Sequence, residues 1–176
     1  MEEKIVIIGS GGQGVLLIGE IIAQAGLSEN KYISKISTYG AEVRGGKVSC
    51  TTIVSDKKID SPVIDEASIL IILDNKLSDN IPSIRKKGLI LINTDSIETC
   101  KFREDLTILN VPADKIAIKT GNIKTRNMVL LGALIKKTGL FKTETINCVL
   151  PKILKSKKEF IKDNIVALKK GVDFIK

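Results

Sequence analysis

The run KIVIIGSGGQGVLLIGEIIA, Lys4 to Ala23, constrains this chain more than any other segment. Lys4 to Ile8 carries β-branched residues without polar alternation, which reads as a short strand buried on both faces and stopped at Gly9. Val15 to Ala25 then reads as a helix, because Leu16, Ile18, Ile21, Ile22 and Ala25 fall at helical spacing and Gly26 supplies a stop. A strand, a glycine loop and a helix in that order form the arrangement that receives phosphate in nucleotide-binding proteins. The rest of the chain must show whether a nucleotide is held here.

Further strands and helices follow in alternation. Tyr32 to Ser37 is a second short strand, leading into TYGAEVRGGKVSC, Thr38 to Cys50, where Gly40, Gly45 and Gly46 mark a tight or functional loop. Lys47 to Ser55 alternates polar and apolar residues as a strand does, and Asp56-Lys57-Lys58 is a turn that folds Ile59 back as a hairpin, making the sheet mixed. Ser68 to Leu73, Leu89 to Asn93 and Thr107 to Val111 read as strands. In the polar stretch Asp74 to Lys87, Leu77, Ile81 and Ile84 form one face of a helix that Gly88 ends. Ala113 to Lys119 is a short helix, and Thr125 to Gly139 a strong one, with Thr125 as its cap and Gly139 as its stop. Two amphipathic helices, Thr143 to Leu154 and Lys157 to Lys170, complete the chain.

This pattern predicts an α/β fold: a three-layer α/β/α sandwich with a largely parallel, mixed central sheet, helices on both faces, and a Rossmann-like glycine loop after the first strand. Ligands of open α/β sheets bind at that carboxyl edge. No repeat, low-complexity tract or linker divides residues 1–176, so one domain is expected.

Composition removes several function classes. With 43% hydrophobic residues the chain is too apolar for disorder, yet no apolar run reaches the roughly 18 residues of a membrane span. The start Met-Glu-Glu-Lys has no export signal, so a cytoplasmic location without a membrane partner is expected. There is no histidine, the commonest general base and metal ligand, which argues against self-contained hydrolytic chemistry. Cys50, Cys100 and Cys148 have neither iron-sulfur nor zinc spacing and are expected to be buried thiols in a chain that carries no metal. Residues 136–176 hold 11 Lys and 4 acidic residues, so most of the formal +8 charge belongs to the C-terminal end. Nucleic-acid binding is disfavoured there: Arg is absent, and Phe141, Phe160 and Phe174 sit at core-like positions.

Gly9, Gly11 and Gly14 satisfy GxGxxG, but only half of either nucleotide motif is present. A dinucleotide site needs an acid at the end of the second strand to hold a ribose hydroxyl, and that strand ends in Ser37-Thr38-Tyr39. Glu29 has about the right spacing but precedes the strand. A Walker A loop needs Lys-Ser/Thr after the last glycine, where Val15-Leu16 stands. A stand-alone Rossmann-like oxidoreductase remains the alternative reading. Gln13 either projects its amide toward a bound group or partner or forms a local cap. Arg44 either places a guanidinium fork on a phosphate or carboxylate, or pairs with Glu42 or solvent. Asn127 reads as a capping or turn residue rather than a ligand.

Taken together, GSGGQGV after the first strand, YGAEVRGGKVS from Tyr39 to Ser49, Ser61-Pro62, and NMVLLGAL from Asn127 to Leu134 resemble the gamma subunit of the 2-oxoacid:ferredoxin oxidoreductases. The resemblance implies a hetero-oligomeric enzyme that oxidatively decarboxylates a 2-oxoacid to an acyl-CoA and reduces ferredoxin. It is greatest to the 2-oxoglutarate branch. Thiamine diphosphate, the [4Fe-4S] clusters and coenzyme A are then expected in the complex and no cofactor in this chain. The implied partners are alpha, beta and ferredoxin-like subunits, and a homodimer of the isolated chain stays open. The implied coenzyme-facing residues are Gly11, Gly12, Gln13 and Gly14 in the first loop and Tyr39, Glu42, Arg44, Gly45 and Gly46 in the second. Neither set is a catalytic triad.

Overall fold

The computed structural model describes residues 1–40, 46–74, 81–96, 101–155 and 158–175. Six strands are described: β1 (Glu2–Ser10), β2 (Tyr32–Tyr39), β3 (Lys47–Ser55), β4 (Ala67–Ile72), β5 (Ile84–Asn93) and β6 (Thr107–Val111). The helices are α1 (Val15–Ser28), α2 (Ala113–Lys119), α3 (Arg126–Thr138), α4 (Thr143–Ile153) and α5 (Ile161–Phe174).

The strands form one sheet in the order β2-β3-β1-β4-β5-β6. β1, β4, β5 and β6 are parallel neighbours, whereas β3 runs antiparallel to both β1 and β2. The α/β class and mixed sheet are therefore as expected. β1 is buried on both faces: Ile5 and Ile7 enter one core cluster, Val6 and Ile8 the other. Continuous apolar sequence is what a strand needs when both its faces leave water.

The two faces are covered unequally. The larger cluster joins the sheet to residues of all five helices, whereas the second is built from the strands with Ile64, Ile81, Phe102 and Leu106. Among the described residues, connecting segments rather than helices supply the third layer. α3 forms the centre of the helical layer, with every residue from Asn127 to Ile135 buried. Two glycines permit this: a Cβ on Gly132 would lie 2.1 Å from the Leu168 carbonyl oxygen, and one on Gly171 2.0 Å from that of Val129. The glycine of the NMVLLGAL segment is thus a contact point between α3 and α5.

Several local expectations are corrected. Gly26 does not stop α1; it is buried within it, its missing Cβ leaving room for Ile33 and Phe141. The helix ends at Ser28, and the Glu29 carboxylate instead caps α4, accepting from the Lys142 amide at 3.0 Å and the Thr145 hydroxyl at 2.7 Å. No strand forms around Ile59 to make a hairpin, because β3 already pairs with β2 and β1. Ile84 to Gly88 belong to β5 rather than to a helix and its stop, since Ala67 pairs with Ile84 before the register shifts to Ile69–Leu89. The helical expectation for residues 75–80 lies outside the described residues. Thr125 precedes α3 without a capping bond from its side chain; its hydroxyl donates to the Asn122 carbonyl. Phe174 is 40% exposed rather than core, and Cys148 is exposed while Cys50 is buried. Cys100 lies outside the described residues.

Candidate functional site

Parallel β1, β4, β5 and β6 end on one edge of the sheet, and antiparallel β3 begins there. Ser10, the last residue of β1, is in register with Lys47, the first of β3, and Tyr39 with Val48. Both glycine segments therefore leave the same edge. The amide of Gly11 donates to the carbonyl of Gly46 at 2.9 Å, and that of Gly40 to Lys47 at 2.7 Å. Tyr39 is 65% exposed beside them. Glu42, Arg44 and Gly45 lie outside the described residues.

The first loop is braced from within. Gln13 turns back, its Oε1 accepting from the Ser10 amide at 2.8 Å while its Nε2 donates to Asp74 at 3.0 Å. The Ser10 hydroxyl donates to the same Asp74 oxygen at 2.8 Å. The local-cap reading of Gln13 thus describes its bonds in this structure. Gly14 is the N-cap of α1 at φ 81°, in the left-handed region, and a Cβ there would come within 2.1 Å of Asn127 Nδ2. Only glycine meets both demands. Gly12, at φ 90°, faces open space.

This bracing bears on nucleotide chemistry. The side-chain donors of Ser10 and Gln13 are both engaged by the Asp74 carboxylate rather than left for a ligand. Among the described residues no acid closes β2 to hold a ribose, and Glu29 is committed to α4 beyond the far end of α1. The described residues do not complete a dinucleotide site. Among the described residues, no group of three or more Cys, Asp or Glu side chains is placed to hold a metal ion.

A second polar cluster at the same edge escaped the sequence reading. Asn93, closing β5, donates to Ser96 and Asp114 at 3.0 Å each and accepts from the Ala113 amide at 3.1 Å. The Asp114 carboxylate also receives the Ser96 hydroxyl at 2.8 Å and Arg126 Nη1 at 3.0 Å. This network ties the end of β5 to the starts of α2 and α3. Nearby Asp95 is pushed upward by burial, but the Lys115 amide and ammonium outweigh that and hold its carboxyl below the ordinary value. A fully buried Asn ending an apolar strand was the available signal.

Ser61-Pro62 is not at this edge. It lies in the connection from β3 to β4 at the amino end of β1, where the Ser61 hydroxyl accepts the amide of Val63 at 3.2 Å. No described helix is long and apolar enough to cross a membrane.

Comparison with known proteins identifies the family. The family model described as pyruvate ferredoxin/flavodoxin oxidoreductase matches residues 4–174. The 2-oxoglutarate synthase subunit KorC of Methanocaldococcus jannaschii is 32% identical over 181 aligned residues, covering all of this chain and 95% of that protein. The ketoisovalerate oxidoreductase subunit VorA of Methanothermobacter marburgensis is 32% identical over 98% of this chain, which spans only 36% of VorA's length. Among solved structures, 2-oxoglutarate:ferredoxin oxidoreductase from Magnetococcus marinus superposes with a TM-score of 0.86 at 22% identity, covering 98% of this chain and 30% of that one. The keto/oxoacid ferredoxin oxidoreductase gamma subunit from Geobacter sulfurreducens gives 0.79 at 24% identity, covering 97% and 96% respectively. These two likenesses establish the fold. By its family match and its relatives, this chain belongs to the pyruvate ferredoxin/flavodoxin oxidoreductase family.

Proposed function

We propose that the chain is the gamma subunit of a 2-oxoacid:ferredoxin oxidoreductase, with 2-oxoglutarate the favoured substrate of the complex. Family membership and the near full-length match to a 2-oxoglutarate synthase subunit support this reading. The superposed Magnetococcus marinus enzyme is described with 2-oxoglutarate, coenzyme A and succinyl-CoA bound. In such a complex, other subunits would hold thiamine diphosphate and the iron-sulfur clusters, and this chain would complete the assembly.

The observation that carries the placement of the site is the Gly11–Gly46 bond, which joins the two glycine segments at one edge. On this reading Gly11, Gly12, Gln13 and Gly14, with Tyr39, Glu42, Arg44, Gly45 and Gly46, face the companion subunits and coenzyme A or thiamine diphosphate. Coenzyme A would supply the thiol that accepts the acyl group. The task of this chain is to orient such a ligand and exclude water around it.

Two experiments test the proposal. A tagged copy expressed in its own cells should co-purify with a thiamine-binding chain and a ferredoxin-like chain; recovery without either contradicts the subunit assignment. Arg44→Ala should leave the chain folded and lower the activity of the reconstituted complex. Unchanged activity and assembly remove Arg44 from the site.

A further inference from the structure

β2 stands at one edge of the sheet, and among the described residues β3 is its one neighbour. It is 8 residues long, against 5 for β6 at the opposite edge. Tyr32 is 52% exposed, Ile36 43% and Tyr39 65%, so large apolar side chains left in solvent gather on this strand. Edge strands are ordinarily guarded against further pairing by a proline, a bulge or a lysine reaching past the edge. β2 has no proline, its register with β3 is unbroken from Tyr32 to Tyr39, and its one charged residue is Lys35. The Lys35 ammonium is turned onto α1, where it pairs with Glu20.

The ladder fixes which backbone groups lie open. The Gly40 amide donates to the Lys47 carbonyl, and in an antiparallel pair such bonds recur at every second residue. Thr38, Ile36, Ser34 and Tyr32 therefore direct their amides and carbonyls at β3, while Tyr39, Ser37, Lys35 and Ile33 direct theirs outward from the sheet. A second copy meets this edge across a two-fold axis perpendicular to the sheet, which sets one residue of β2 opposite itself. A register centred on Lys35 opposes two ammonium groups, and one centred on Ser37 leaves Ile33 with no opposite residue in the strand. Centred on Ile36, every outward residue finds an outward mate: Ile33 meets Tyr39 and Lys35 meets Ser37, each pair exchanging two backbone bonds. Ile33 packs at Gly26 of α1 and Lys35 at Glu20, so by alternation the two Ile36 side chains meet on the face away from α1.

We infer that β2 is a self-pairing edge: two copies of this chain join their sheets through antiparallel β2 strands, in the register that sets Ile36 opposite Ile36. The charge pattern fits, since this register brings no like charges opposite one another. It also seats Ile33 of the second copy against Tyr39, an aromatic and β-branched pair of the kind that stabilises sheets. That contact falls at the edge where the glycine segments leave the sheet. The pairing is a property of the chain by itself and stands apart from the subunit assignment.

The test uses the full chain in sedimentation equilibrium from about 1 to 100 µM, a range that reads association of micromolar strength. The native chain should pass from monomer to dimer. Ile36→Lys sets two ammonium groups opposite each other at an already exposed position and should weaken dimerisation by about tenfold or more. Ile36→Cys should yield a disulfide-linked dimer on oxidation, beyond that formed by the native chain, because opposed residues of a non-hydrogen-bonded pair stand about 4.5 Å apart at Cα. Ser34→Cys, which faces Thr38 rather than itself, should not. A native chain that stays monomeric overturns the inference. So does Ile36→Lys dimerising as tightly as the native chain, or Ile36→Cys cross-linking no better than Ser34→Cys. The cross-linking decides the register even if Ile36→Lys does not fold. A monomeric native chain whose co-purification with companions is lost on Ile36→Lys would give the edge to a companion and likewise overturn self-pairing.

Discussion

The amide of Gly11 and the carbonyl of Gly46 meet at 2.9 Å, closing the first glycine loop onto the second. Neither loop is near the other in sequence. They meet because β3 runs antiparallel beside β1 and begins opposite Ser10. Gly11 and Gly46 thus lie side by side at the carboxyl edge of the sheet.

Gly14→Ala should disturb the start of α1 more than a single methyl suggests. The residue sits at φ 81°, and the new Cβ would overlap Asn127 Nδ2 at 2.1 Å. Together these should cost about 2–3 kcal/mol, measured by urea unfolding. Gly12→Ala, strained at φ 90° but facing open space, should cost less, about 1 kcal/mol.

Gly132→Ala and Gly171→Ala should each destabilise by about 3 kcal/mol despite the better helix propensity of alanine, because each Cβ meets carbonyl oxygen of the facing helix. Both open the same α3–α5 crossing. The double variant should therefore lose less than the two single losses combined, a coupling that a double-mutant cycle reads directly.

Glu29→Ala should remove the only side-chain acceptor recorded at the start of α4 among the described residues, costing about 1 kcal/mol. Hydrogen exchange should quicken at Lys142 and the following amides and stay unchanged in α1. An equal loss of protection in both helices would contradict a capping role.

Acid should weaken the fold in a defined window. Hydrogen bonds from Lys31 and the chain's own N-terminus hold the Asp56 carboxyl down to about 2, and Arg103 holds Asp105 to about 2. Both folded values lie below the ordinary 3.8. Their contribution is thus present above about pH 4 and is lost as pH falls toward 2. Asp56→Asn should flatten part of the decline in urea midpoint between those values, and salt should shrink the effect because the groups are exposed.

Local sequence carried most of the elements and little of how they meet. β3, β6 and α2 fall on their expected bounds because apolar alternation, Pro112 and flanking polar residues mark them. Gly26 misled because a glycine that makes room for Ile33 and Phe141 looks the same in sequence as one that ends a helix. Ile84 misled because its pairing with Ala67, remote in sequence, overrides a helical spacing. At the candidate site, the motif made the turn through Gly12 and Gly14 legible. The Asp74 brace and the Asn93–Asp114–Arg126 network were not, since their members come from separate strands and helices. Glu29, weighed as a ribose ligand on spacing alone, turned out to cap a helix that begins at Thr143.

The most direct test of the account is reconstitution by omission. With its companion subunits, thiamine diphosphate, coenzyme A and ferredoxin present, leaving out this chain should abolish 2-oxoacid-dependent ferredoxin reduction, and adding it back should restore it. Supplied alone with the same substrates and cofactors, the chain should reduce no ferredoxin. Sustained turnover by the chain alone, or full activity of the complex without it, would contradict its assignment as a subunit that acts only in assembly.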